Sequence, residues 1–210
     1  FDLETTGLDK VVNGIHQISG CIEIDGVVAE YFNFKVQPKE GAVYDPEALR
    51  IGNVTESDLR AYTDMKQTYH MFIAMLAKHV DRYDTGDKLF LVGYNNASFD
   101  NQFLRQWFAD NGDQYFGSWF WPNTLDVYIL ATQHLLDERQ SMKDFKLKSV
   151  AAHLGLLITE DKLHDAEYDI ELSTMRDHTH GSSRDWKLMH RYGLHNFTTR
   201  FYVYLVEINK

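Results

Sequence analysis

At 210 residues, with 44% hydrophobic and 14% aromatic side chains, the chain can bury a sizeable core within one large domain or a domain plus an appendage. A net charge of −10 disfavours a broad nucleic-acid groove, which takes most of its affinity from Lys and Arg on phosphates. It leaves open an enzyme that grips only a chain end and meets phosphate through bound cations. The single cysteine, Cys21, excludes an intrachain disulfide framework and a cysteine-based zinc site. With no membrane-length apolar run and no leader before the first motif, a soluble, cytoplasmic protein is expected.

In chain order, Phe1-Asp2-Leu3-Glu4 reads as the end of a strand whose earlier part is missing, so residues upstream are expected in the natural protein. Asp25-Gly26 separates two β-rich runs, Gln17–Ile24 and Val27–Val36, a hairpin signal in which Gly supplies a positive φ. Residues 38–58 carry turn and cap residues, including Pro38, Pro46 and Thr55-Glu56-Ser57-Asp58. The spacing of Phe72, Leu76 and Val80 predicts a helix over Thr68–Tyr83, and Lys88–Tyr94 reads as a short buried strand. Further helices are predicted over Ser98–Asn111, Leu125–Glu138 and Lys146–Gly155, the last turning Leu147, Val150 and Leu154 inward. A final helix is expected from Asp165 to about His178. Gly181-Ser182-Ser183 then reads as a joint before a β-rich tail, Phe197–Ile208. The pattern is α/β with a mixed sheet, opened by a hairpin and continued by crossovers.

Three places carry candidate chemistry. Asp2 and Glu4 are two apart on a strand, so both carboxylates point to one face. Such a pair is costly unless a cation lies between them, although a solvated polar face on an edge strand reads the same way. Asp100 closes Asn96-Ala97-Ser98-Phe99-Asp100 at a helix start, where a carboxylate also simply suits the helix dipole. His164-Asp165-Ala166-Glu167-Tyr168-Asp169 puts a loop His before a helix and Asp169 one turn inside it. A His there can take a proton from water near neutral pH, or the segment can be a cap with solvated acids.

Taken together, Phe1–Asp9, Asn96–Asp100 within Gly93–Leu104, and His164–Asp169 resemble the DEDDh (DnaQ-like) 3′→5′ exonucleases of the ribonuclease H-like superfamily. Pro46–Ile51 and Val54–Leu59 resemble this family's connection from third strand to first helix, and the likeness spans residues 1 to about 177. It implies a ribonuclease H-like mixed β-sheet flanked by helices over residues 1–180, with an extension of unknown role over 181–210. It also implies that Asp2, Glu4, Asp100 and Asp169 bind two divalent cations, Mg²⁺ or Mn²⁺, with His164 as general base. Thr5, Thr6 and Leu8 would cradle the terminal nucleotide, Phe99 would offer it an aromatic surface or pack in the core, and Asn96 would orient a ligand or touch substrate.

The resemblance implies hydrolysis of single-stranded DNA from its 3′ end to nucleoside 5′-monophosphates, of proofreading or repair type, with a DNA polymerase as a further partner. An RNA trimmer resembling ribonuclease T or oligoribonuclease, and an inactive fold used for binding, are the alternatives. Three departures stand out: the short first strand, Ile51-Gly52-Asn53-Val54 where a His-Gly pair is usual, and no match beyond about Gly181. His178 and His180 read as a solvated helix end, Lys143, Lys146 and Lys148 as a charged helix start, and Trp107, Trp119 and Trp121 as packing. Asp126 and Asp165 are expected to support the motifs rather than bind metal.

Overall fold

The computed structural model describes residues 1–154 and 202–204. At its centre is β2 (Ile15–Ile24), buried along nearly its whole length, as expected of a strand covered on both faces. β3 (Val27–Lys35) pairs antiparallel with it through the predicted hairpin. Asp25 and Gly26 take φ values of 52° and 78°, the left-handed pair that a tight hairpin turn requires.

On its other side β2 has two partners end to end. β1 (Asp2–Thr5) pairs with Ile15–Ser19, and β6 (Tyr202–Tyr204) with Cys21–Glu23, both antiparallel. β6 also runs parallel to β4 (Phe90–Gly93), and β4 parallel to β5 (Leu125–Asp126). The sheet is therefore mixed, and part of the β-rich tail lies in its interior.

The helices pack around this sheet. α1 (Pro46–Ile51) starts on the Asp45 cap with Pro46 in its first turn, where the missing N–H costs nothing. α2 (Glu56–Ala61) opens with a capping box between Thr55 and Asp58. α3 (Met65–Leu76) starts on Asp64, whose carboxylate accepts from the N–H groups of Lys66 and Gln67. It buries Thr68, Tyr69, Phe72, Met75 and Leu76, a face of helical period.

α3 is thus shifted from the predicted Thr68–Tyr83. Past Leu76 the backbone tightens to bonds from Lys78 N–H to Met75 O and from His79 N–H to Leu76 O, and the carboxylates of Asp81, Asp84 and Asp87 accept backbone N–H groups that hold residues 81–87 in turns. Val80 remains buried as its spacing predicted.

α4 (Asp100–Asp110), the short α5 (Phe116–Trp119), α6 (Val127–His134) and α7 (Leu147–His153) complete the described elements, with a single 3₁₀ turn at Arg139–Ser141. The predicted helix over Leu125–Glu138 is corrected: its first two residues are β5, and Asp126 caps the helix that follows. Trp107 and Trp119 are buried in the main core with Phe72, Phe103, Leu104 and Phe108. Phe145, Val150 and Tyr94 form a smaller cluster under α6 and α7. Lys143, Lys146 and Lys148 are exposed. No helix among the described residues is long and apolar enough to cross a membrane.

Candidate active site

Along β1, Leu3 and Thr5 are buried while Asp2 and Glu4 are half-buried, so the pleat puts both carboxylates on one face. The Phe1 backbone nitrogen donates to the Val92 carbonyl at 3.3 Å, which lays the start of β1 against the end of β4. Asp100 is the first residue of α4 and only 8% exposed. A buried carboxylate at this end of a helix is favoured by the dipole.

The segment after β1 is locked from within. Thr5 Oγ1 donates to the Gly7 carbonyl at 2.7 Å, and Thr6 Oγ1 donates to the Val43 carbonyl at 2.8 Å while accepting from the Gly14 N–H at 3.0 Å. Both threonines are buried, so their hydroxyls shape the loop, and direct side-chain contact with a nucleotide is not what this geometry offers. Leu8 is the opposite case, 73% exposed. Asn13, which sequence reasoning passed over, fastens the loop: its amide donates to Val43 O at 2.8 Å and accepts from the Asp9 N–H at 2.9 Å. A Cβ on Gly7 would lie 2.5 Å from Asn13 Nδ2, so this close approach needs glycine. The Asn13-Gly14 pair was the available signal, as a turn dipeptide.

The corner between β4 and α4 is built on Asn96. Its amide donates to Thr124 Oγ1 at 3.0 Å and to Asn101 Oδ1 at 3.3 Å, and the Thr124 hydroxyl donates to Leu91 O at 2.6 Å. Asn96 is buried, which suits the expectation that it orients the segment and leaves little of it to touch substrate. Phe99 is partly buried against the core, its ring 4.8 Å from that of Phe103. His164, Asp165 and Asp169, with the predicted helix from Asp165 and the joint at 181–183, lie outside the described residues.

Asp2, Glu4 and Asp100 supply only oxygen ligands, the chemistry that hard divalent cations take. Among the described residues, no group of three or more His, Cys, Asp or Glu side chains is gathered closely enough to hold a cation.

A family model described as exonuclease, of RNase T type, matches residues 1–175. The PolC-type DNA polymerase III of Mycoplasmopsis pulmonis is 22% identical over 174 residues, covering 83% of this chain and 11% of that protein. The solved structure of E. coli exonuclease I in complex with a dA16 oligonucleotide is similar at a TM-score of 0.63 and 19% identity, over 82% of this chain and 38% of that one. Product-bound exonuclease I gives a TM-score of 0.64 at 17% identity, over 93% of this chain and 44% of that one. The chain thus spans less than half the length of these relatives. The structural likeness bears out the expected ribonuclease H-like fold, a mixed sheet flanked by helices.

Proposed function

The chain belongs to the exonuclease family of RNase T type, in the DEDDh branch of the ribonuclease H-like superfamily, and from that premise we propose that it removes nucleotides singly from the 3′ end of single-stranded DNA. The observation that carries this reading is the pair Asp2 and Glu4 on one face of β1, against the strand whose corner delivers Asp100. Products are nucleoside 5′-monophosphates.

In this reading Asp2, Glu4, Asp100 and Asp169 hold two divalent cations, Mg²⁺ or Mn²⁺. When bound, the cations supply phosphate neutralisation and activation of the attacking water. They also account for how a chain of net charge −10 accepts a polyanion. His164 takes the proton that the attacking water gives up. Leu8 presents exposed apolar surface to the terminal base. Thr5, Thr6 and Asn13 hold that loop still, and a fixed loop lowers the cost of orienting the substrate. The PolC-type relative and the oligonucleotide-bound exonuclease I support DNA as substrate and a polymerase-associated, proofreading setting.

The test is degradation of matched 5′-labelled single-stranded DNA and RNA by the full chain with Mg²⁺, Mn²⁺ or EDTA. A metal-dependent ladder shortening from the 3′ end, faster on DNA, is the expected result. Faster loss of RNA would reassign the substrate to an RNA trimmer. Oligonucleotide binding with no cleavage under either metal would convert the assignment to an inactive binding fold.

A further inference from the structure

We propose that Asp126 is a positioning residue of this site, its buried carboxylate fixing the corner that presents Asp100 to a divalent cation. The inference rests on the metal-dependent reading above.

Asp126 ends β5 and is 6% exposed. Its Oδ1 accepts from the Asn95 N–H at 2.8 Å and from the Tyr128 N–H at 2.9 Å, and its Oδ2 accepts from the Ala97 N–H at 3.3 Å. A helix cap needs only the bond to Tyr128. The other two reach back to the β4–α4 corner and grip it on either side of Asn96. Carboxylate bonds to backbone N–H groups are charge-assisted and among the stronger hydrogen bonds.

That corner needs outside support for two reasons. Asn95 sits at φ +62°, a left-handed conformation that costs energy for any residue but Gly and is least costly for Asn and Asp. The residue before α4, Phe99, makes no side-chain cap bond to the helix. The start of the helix is instead held through the corner, the Asn96 carbonyl accepting from the Asn101 N–H at 3.0 Å, and Asp126 fixes the residues on either side of Asn96. Residues that orient a metal ligand in this way commonly change metal affinity about 10–100-fold when removed.

The experiment measures Mn²⁺ binding to the full chain without substrate, by electron paramagnetic resonance of free Mn²⁺, beside thermal unfolding in EDTA and kcat and KM on single-stranded DNA. Asp126→Ala should weaken Mn²⁺ binding about 10-fold or more and lower kcat with little change in KM. Asp126→Asn, which keeps an acceptor for Asn95 and Tyr128, should recover most of both. Asn95→Val, which strains the same corner without touching the cap of α6, should weaken Mn²⁺ binding as Asp126→Ala does.

Asp100→Asn separates the two levels of the argument. If it lowers Mn²⁺ binding while Asp126→Ala and Asn95→Val bind as the parent does, Asp126 is a helix cap and the proposal is overturned alone. If the parent binds no Mn²⁺, the metal-dependent reading falls and the proposal with it.

Discussion

Acid should unfold this protein partly through one residue, His16. It lies on β2, 1% exposed, and neither ring nitrogen meets a hydrogen-bond partner among the described residues. Gly52, which closes α1, lies close by: a Cβ there would come 3.4 Å from His16 Nε2. Burial pushes the imidazole from 6.5 down to about 4, the residue's own backbone opposing this and Lys35 adding a smaller push downward.

The folded protein therefore keeps His16 neutral where the unfolded chain protonates it. Stability is lost as pH falls through 6.5 and the loss is complete near pH 4, where the folded state takes up the proton too. At about 1.4 kcal/mol per pH unit the full effect is about 3 kcal/mol. By pH 5 roughly 2 kcal/mol of it has been lost. Urea unfolding followed by tryptophan fluorescence, at pH 7.5, 6 and 5, measures this in the parent and in His16→Leu. The variant has no proton to take up at this position and no unpartnered ring nitrogen to bury, so its stability should fall less steeply by about 2 kcal/mol across that range. Parallel curves for the two proteins would refute the argument.

Two further substitutions test the loop and the core. Gly7→Ala forces a methyl group into the Asn13 amide, which is held by bonds on both sides. The displaced loop should cost about 1–3 kcal/mol and reduce kcat on single-stranded DNA at least about tenfold, and parent-like turnover would show the loop to be irrelevant to the site. Phe72→Ala removes a ring that meets Phe32, Phe34, Trp107 and Phe108 edge-on. Thermal and urea unfolding should register a loss of about 3–5 kcal/mol, with a value below about 1 kcal/mol contradicting the packing described.

Legibility in the sequence followed the range of the forces involved. The Asp25-Gly26 hairpin and the alternation of Asp2 and Glu4 are set by neighbouring residues, and both are readable in the sequence alone. The period of α3 is visible in Phe72 and Leu76, but its end is not, because the buried Val80 continues the period while the Asp81, Asp84 and Asp87 turns that replace the predicted last turn carry no periodic signal. β5 escaped notice because a two-residue strand is defined by its partner β4 and not by its own pattern. α1 and α2 were visible only as caps, being too short to show a period. The inward turn of the Thr5 and Thr6 hydroxyls depends on Gly14 and Val43, which fold back onto the loop from farther along the chain. The strand in the tail was foreseen, yet its place between β2 and β4 is a long-range pairing that composition does not encode.

That placement has a consequence for how the molecule is made. During synthesis β2 and its hairpin partner leave the ribosome early and β4 follows, but the strand that joins β2 Cys21–Glu23 to β4 Phe90–Leu91 is Tyr202–Tyr204. Until it arrives, the nascent chain holds a sheet with an open seam, two strands whose backbone groups await a partner. Open edges of that kind invite pairing with other chains, and closing a seam across so much sequence is slow. The described sheet is thus sealed late: a chain that stops before residue 202 keeps the β1–β2–β3 and β4–β5 pairings but lacks the strand that joins β2 Cys21–Glu23 to β4 Phe90–Leu91.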